Sequence, residues 1–165
     1  MKETEKKMTG NHSCRFRWRR VIELVSGITL LACGCAIYLL FRSKSIRLYQ
    51  WFEAAGFSDV LVAARNVTAN ISLPDIIVYS LPDGLYCAAY ILTMDAVWMY
   101  EHCGKRFVIV CFVPVMALIH EMLQGLRLAE GTFDWADFTF YAIPLILYFT
   151  FSKETFFTKP KLNLQ

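Results

Sequence analysis

Residues 120–137 read H-E-M-L-Q-G-L-R-L-A-E-G-T-F-D-W-A-D and separate two strongly apolar segments of the chain. Charged or amide side chains occupy six of these positions: Glu121, Gln124, Arg127, Glu130, Asp134 and Asp137. Such groups are costly in a bilayer unless they face water or one another. The stretch therefore predicts the connection of a helical hairpin, and its polar side chains form a candidate site.

On both sides of this stretch the chain contains apolar runs of roughly 20 residues, the length that crosses a bilayer as a helix. The 165 residues are 56% hydrophobic and 15% aromatic, and the mean hydropathy is +0.41. We predict an all-α integral membrane protein, a four-helix bundle embedded in the lipid bilayer. Its predicted spans are 21–41, 84–100, 107–124 and 135–152, with a basic tail at 1–20, an outer loop at 42–83 and a second tail at 153–165.

The outer loop carries its own helical signals. Ile46, Tyr49 and Phe52 recur at helical spacing among polar residues, which predicts an amphipathic helix over 44–55 that ends at Gly56. Such a helix can lie in the membrane interface, between spans one and two, or pack on the bundle. Two Leu-Pro-Asp sequences follow, at 73–75 and 81–83, and each predicts a helix start because proline suits the first turn and the carboxylate suits the positive helix end.

The distribution of basic residues predicts the orientation. Seven Lys and Arg precede residue 21, two lie in the turn at 101–106 and three follow residue 152, twelve of the 17 in all. Because such residues are retained on the cytoplasmic side, both termini are expected there. A span follows the basic tail directly, so we expect a membrane anchor and no nucleic-acid partner. Leu30-Leu31-Ala32-Cys33 resembles a lipoprotein cleavage box, but the apolar run continues beyond it, which favours a retained span.

With this orientation, the start of span two, the end of span three and the start of span four meet at the outer face. The predicted ligand-binding residues are Asp83, Glu121, Gln124, Arg127, Asp134 and Asp137. His120, Gln124 and Arg127 would form one helical stripe, and Arg127 could fork onto a carboxylate. The alternative is a salt-bridge network that ties spans three and four together.

Glu121 is the candidate acid/base residue, because a carboxyl group at the bilayer boundary can exchange protons. Whether the protein is an enzyme stays open at this point, since nucleophile, nucleotide and phosphate-binding motifs are not recognisable. His120-Glu121-x-x-Gln124 differs from the zinc motif HExxH in its last position. The six cysteines show no zinc-ligand spacing. We therefore predict no metal and no cofactor.

Asp95 raises a separate question. It follows Gly84 by eleven residues, which places it about 16 Å along span two, near the bilayer midplane. It could transfer a proton or ion, or form a structural hydrogen bond with Ser26, Thr29 or Thr93.

Glu121-x-x-Gln124, then Arg127, then Asp134-x-x-Asp137 at the start of a span resembles the signature of the VanZ-like family. The resemblance covers about residues 80–150, with Leu81-Pro82-Asp83-Gly84 as a companion motif. Members are small helical membrane proteins of bacteria, some linked to resistance to glycopeptide antibiotics such as teicoplanin. The resemblance implies a bacterial inner-membrane protein of the cell envelope.

Three functions are compatible with the sequence. The outward acidic and Arg-containing site could recognise a cell-envelope ligand, such as a lipid-linked cell-wall precursor or a glycopeptide. It could instead catalyse a reaction on lipid-linked substrates through Glu121. The chain could also be a non-catalytic subunit that packs on another membrane protein through the 44–55 helix or its apolar faces.

Overall fold

The computed structural model describes the backbone of residues 2–157 and the side chains of residues 17–102 and 104–151. Within that part the chain is helical and contains no strands. The seven helices are α1 (Lys2–Phe41), α2 (Arg47–Ala54), α3 (Ser58–Thr68), α4 (Asp75–Tyr79), α5 (Leu81–Val97), α6 (Cys103–Gly125) and α7 (Trp135–Phe157). Lys153, Lys159 and Lys161 of the predicted second tail, and Arg15 of the first, lie outside the described side chains.

Three segments are long and apolar enough to cross a membrane: Arg17–Phe41, Asp75–Val97 and Gly104–Gly125. A shorter apolar helical segment, Trp135–Phe151, packs beside them as part of α7. The chain is therefore a helical membrane protein. The apolar segments lie where the sequence predicted spans one, three and four, but the second differs in its bounds.

The second apolar segment occupies Asp75–Val97, where the sequence predicted a span over residues 84–100. Both Leu-Pro-Asp sequences do begin helices, α4 at Asp75 and α5 at Leu81. Because Ser80 between them keeps right-handed helical dihedral angles, the two helices follow each other almost directly. After Val97 the chain turns, with the Glu101 amide donating to the Trp98 carbonyl at 3.1 Å, so Trp98 and Tyr100 follow the helix, although the predicted span included them.

Helix α5 is the centre of the bundle and contacts α1, α6 and α7. Glycines on α1 allow the closest of these approaches. A Cβ atom at Gly27 would lie 2.6 Å from Thr93 Oγ1 and 3.1 Å from the Ala89 carbonyl oxygen, and one at Gly34 would lie 2.9 Å from the Tyr86 ring. Small residues at a helix contact let two backbones pack closely. Such packing matters in a membrane, because the hydrophobic effect contributes little to helix association there.

The amphipathic segment after α1 packs against the end of that helix. Tyr49 of α2 is buried with Leu39 of α1 and Leu61 of α3. Arg65 of α3 donates hydrogen bonds to the carbonyl oxygens of Leu39 at 2.6 and 2.8 Å and of Arg42 at 2.6 Å. These carbonyls have no partner within the helix, and a guanidinium there also complements the helix dipole. The helix predicted before Gly56 is thus present as α2, and α2 and α3 are both fixed to α1.

The long helices α1, α5, α6 and α7 alternate in direction, since the end of each lies beside the start of the next, and this defines two ends of the folded chain. At the distal end α1 and α6 end while α5 and α7 begin; α2, α3 and the 126–134 loop lie there. At the proximal end lie Arg19, the 98–102 turn and the C-terminal part of α7. Between the ends, Ile91 of α5, Val110 of α6 and Tyr148 of α7 form a packed core, in which Val110 is fully buried (0% exposed).

Candidate functional site

The distal end gathers carboxylates from three helices. Asp83 lies in the first turn of α5, Asp137 in the first turn of α7, and Glu121 in the last turns of α6. Glu121 and Asp137 both lie within electrostatic range of Asp83, and so does the hydroxyl of Tyr141. We call Asp83, Glu121 and Asp137 the distal carboxylate cluster. The structure thus brings together the acidic residues that the sequence predicted to converge.

Two oxygens of the distal carboxylate cluster are buried without a hydrogen-bond partner. They are Glu121 Oε2 and Asp137 Oδ1. Glu121 as a whole is only 6% exposed. A buried polar group that lacks a hydrogen bond costs roughly 1–3 kcal/mol, and more when it is charged. Such an arrangement is unfavourable for the protein alone and suits a site that a ligand completes.

Arg42 is the basic residue that acts on the cluster, and sequence reasoning did not assign it a role. It lies just past the end of α1 and exerts an attractive charge on Asp83. Its guanidinium stacks over the rings of Tyr38 and Tyr79 at 4.4 and 5.1 Å and donates to the Tyr79 carbonyl at 3.3 Å. The aromatic rings hold Arg42 at the edge of the cluster. Its positive charge therefore compensates the charge of Asp83 and leaves the charges of Glu121 and Asp137 uncompensated.

Gln124 supports the loop beside the cluster. Its Nε2 lies 3.1 Å from His120 Nε2 and donates to the Glu130 carbonyl at 3.1 Å. Gly131 passes so close that a Cβ atom there would lie 2.6 Å from Gln124 Nε2, and its φ of +119° favours glycine. The amide that was predicted to contact a ligand is therefore engaged in holding the 126–134 loop.

Asp134 lies beside Glu121, whose carboxylate accepts a hydrogen bond from the Asp134 backbone amide, whereas Arg127 occupies a position that differs from the predicted one. Asp134 Oδ1 accepts a hydrogen bond from the Ala136 amide at 2.8 Å, so its carboxylate satisfies an amide at the start of α7. Arg127 does not continue the stripe of His120 and Gln124, because α6 ends at Gly125 and Arg127 has a left-handed φ of 58°. Among the described side chains Arg127 forms no salt bridge, and it is exposed.

The proximal end holds a second polar cluster, centred on Asp95. Arg106 of α6 donates to both carboxylate oxygens of Asp95, at 2.7 and 2.5 Å, and the Tyr148 hydroxyl donates to Oδ1 at 2.7 Å. The side chains of Asp95 and Arg106 are 4% and 7% exposed. Asp95 therefore lies near the end of α5 rather than at its middle, and its partners are not Ser26, Thr29 or Thr93.

Helix α1 contributes a second ion pair to the proximal cluster. Arg19 Nε pairs with Glu23 Oε1 at 2.7 Å, and Arg19 Nη2 lies 3.8 Å from Asp95 Oδ2. Two guanidinium groups thus face two carboxylates. Each of the four long helices contributes at least one side chain to this group. We call Arg19, Glu23, Asp95, Arg106 and Tyr148 the proximal network. Glu23 Oε2 is also buried without a hydrogen-bond partner, but the charges of this network balance, which fits a structural role.

Comparison with known proteins assigns no function to either cluster. No protein-family model, curated protein or solved structure matches this chain. The VanZ-like resemblance accordingly remains a prediction from the residues quoted above.

Neither cluster has the arrangement of a metal centre. Within the described side chains, no three His, Cys, Asp or Glu residues are grouped so that they could hold a metal ion. The distal carboxylates come from three helices and lie within electrostatic range of one another. A ligand with hydrogen-bond donors suits this arrangement better than a metal ion.

Proposed function

We propose that this chain is a bacterial inner-membrane protein whose distal carboxylate cluster recognises a cell-envelope ligand, such as a lipid-linked cell-wall precursor or a glycopeptide antibiotic. The observation that carries this proposal is Glu121, a nearly buried carboxylate with an unpartnered oxygen beside two further carboxylates. Asp83, Glu121 and Asp137 would form the base of the site. Gln124, Arg127 and Asp134, from the adjoining loop, would form its rim.

The proposal includes four membrane crossings with both termini in the cytoplasm. The basic residues near the proximal end support this orientation, because Lys and Arg are retained inside. The distal carboxylate cluster would then lie at the outer face of the membrane, where envelope ligands are found. The VanZ-like resemblance of residues 80–150 supports the same assignment.

Helix α2 would lie in the outer interface of the bilayer. Tyr49 fixes one of its faces to α1 and α3, whereas Trp51 is 67% exposed and Phe52 is also exposed. Exposed aromatic residues next to basic ones such as Arg47 are typical of a helix at headgroup level. The helix would thus bring the membrane surface close to the distal carboxylate cluster.

A photocrosslinking experiment tests the proposed function. Cells that express the protein are treated with a lipid-linked cell-wall precursor analogue carrying a photoreactive group, and labelled protein is quantified. We expect Glu121→Gln to reduce labelling at limiting ligand by about tenfold or more, because a hydrogen bond to a charged group is lost. Glu130→Gln, the same chemical change at an exposed position of the neighbouring loop, should label like the parent protein.

The same pair of variants separates a binding protein from an enzyme. If Glu121 were the acid/base residue, Glu121→Gln would retain crosslinking while turnover of the precursor ceased. Equal labelling of the parent protein and Glu121→Gln, at equal protein levels and with no change in any product, would contradict both functions.

A further inference from the structure

We propose that the group recognised by the distal carboxylate cluster is a primary ammonium, borne by a lipid headgroup or by a peptide at the membrane surface. This inference rests on the proposed function and names the chemical class of its ligand. It follows from the charge of the cluster, from its unpartnered oxygens and from its spacing.

The charge of the cluster requires a cation. Asp83, Glu121 and Asp137 act on one another with like charge, and the Arg42 guanidinium opposes the charge of Asp83. The Asp134 carboxylate also acts on Glu121 with like charge, so carboxyl groups outnumber the one guanidinium at this position. His120 also lies within electrostatic range of Glu121, but it is exposed and engaged with Gln124. An anionic group such as a phosphate would be repelled from this position.

The unpartnered oxygens require hydrogen-bond donors. Glu121 Oε2 and Asp137 Oδ1 are both buried, come from different helices and lie in the same cluster. A primary ammonium carries three N–H donors and can satisfy two carboxylates at once. A hydrogen bond between an ammonium and a carboxylate is also about twice as strong as one between neutral groups.

The spacing favours an organic cation over a metal ion. A calcium ion takes six to eight oxygen ligands within about 2.6 Å and so needs acidic groups that converge. The described side chains offer no such group of three. An ammonium needs only two or three acceptor oxygens, because it carries three N–H donors.

The test compares free and acetylated amines on the full-length protein. The protein is reconstituted into nanodiscs of phosphatidylglycerol, to which phosphatidylethanolamine or N-acetylated phosphatidylethanolamine is added in equal fractions, and its Tm is measured. A second arm adds the soluble peptides Nα-acetyl-Lys-D-Ala-D-Ala or Nα,Nε-diacetyl-Lys-D-Ala-D-Ala. We expect the free amine to raise the Tm and its acetylated partner not to do so.

Glu121→Gln should abolish the difference between free and acetylated amine, and Glu130→Gln should preserve it. A response in the lipid arm assigns the ammonium to a headgroup, and a response in the peptide arm assigns it to a peptide. Equal responses to free and acetylated amines in both arms would overturn the ammonium inference, as would an equal, Glu121-dependent response to calcium or magnesium alone. The proposed function would survive that result if precursor crosslinking still depended on Glu121, so the two failures are distinguishable.

Discussion

Replacing Arg106 by methionine is expected to lower the free energy of unfolding by about 3–5 kcal/mol, because it removes the nearest cation of the buried Asp95 and leaves, among the described side chains, only Arg19, 3.8 Å away. Asp95 receives two hydrogen bonds from Arg106, and its side chain is 4% exposed. The Tyr148 hydroxyl can continue to donate to Asp95 but carries no positive charge. Since the proximal network also joins α5 to α6 and α7, the loss should affect the whole bundle.

The matched control for this prediction is Lys105→Met. It removes the same charge from the neighbouring residue, which is exposed at the start of α6. The free energy of unfolding can be measured in mixed micelles that contain an increasing fraction of denaturing detergent. It should fall strongly for Arg106→Met and change little for Lys105→Met. The triple variant Asp95→Leu, Arg106→Met, Tyr148→Phe should recover most of the stability, because no buried charge then remains unpaired. Equal stabilities of the two single variants would refute the assigned role of the proximal network.

Neutralising the distal carboxylate cluster is expected to change stability in the opposite direction. The double variant Glu121→Gln, Asp137→Asn should raise the free energy of unfolding of the ligand-free protein by about 1–3 kcal/mol. Each substitution keeps the shape of the side chain and removes a like charge from a site that contains two buried, unpartnered oxygens. Sites shaped for a ligand are often destabilising when the ligand is absent.

The same micelle titration measures this gain, in the absence of added ligand and with Glu130→Gln as the control for an exposed carboxylate. A destabilised double variant would mean that Glu121 and Asp137 hold the fold together, as the salt-bridge alternative requires. A lower free energy of unfolding for Arg106→Met would thus identify the proximal network as structural. A higher one for the double variant would identify the distal carboxylate cluster as a binding site.

The helical, membrane-spanning character of the chain could be predicted from its sequence because it depends on local properties. Apolar runs of sufficient length and the two Leu-Pro-Asp starts each act within a few residues. The same holds for the helix that ends before Gly56, whose φ is +86°. The convergence of Asp83, Glu121 and Asp137 was also predictable, since it requires only that neighbouring helices run in opposite directions.

The partners of Asp95 could not be predicted in this way. Arg106 lies eleven residues further along, beyond a turn, and Tyr148 lies 53 residues away. Whether they meet Asp95 depends on the rotation of each helix about its axis, which tertiary packing decides. One signal was available: Tyr141 and Tyr148 are seven residues apart, so they share a face of α7 and place a hydroxyl near an aspartate at each end of α5.

Arg127 illustrates the difficulty of predicting helix ends. The stripe from His120 assumed that α6 continues through Arg127, whereas the helix ends at Gly125 and the chain reverses into a loop held by Gln124. A glycine two residues before the arginine was the available signal for the end of the helix. Because the loop redirects the guanidinium, the salt bridges that helical spacing predicted for it do not form among the described residues.

Whether the distal carboxylate cluster faces the outside of the cell is tested most directly by labelling a single cysteine at Thr132. Thr132 is exposed in the loop beside the cluster, whereas Gly131 has a positive φ and contacts Gln124, so a side chain there would be strained. Thr132→Cys is placed in a variant that lacks the six native cysteines, and intact cells are treated with a membrane-impermeant thiol reagent. Labelling before the cells are opened is the predicted result. Protection until the cells are opened would contradict the outward orientation and the envelope ligand with it.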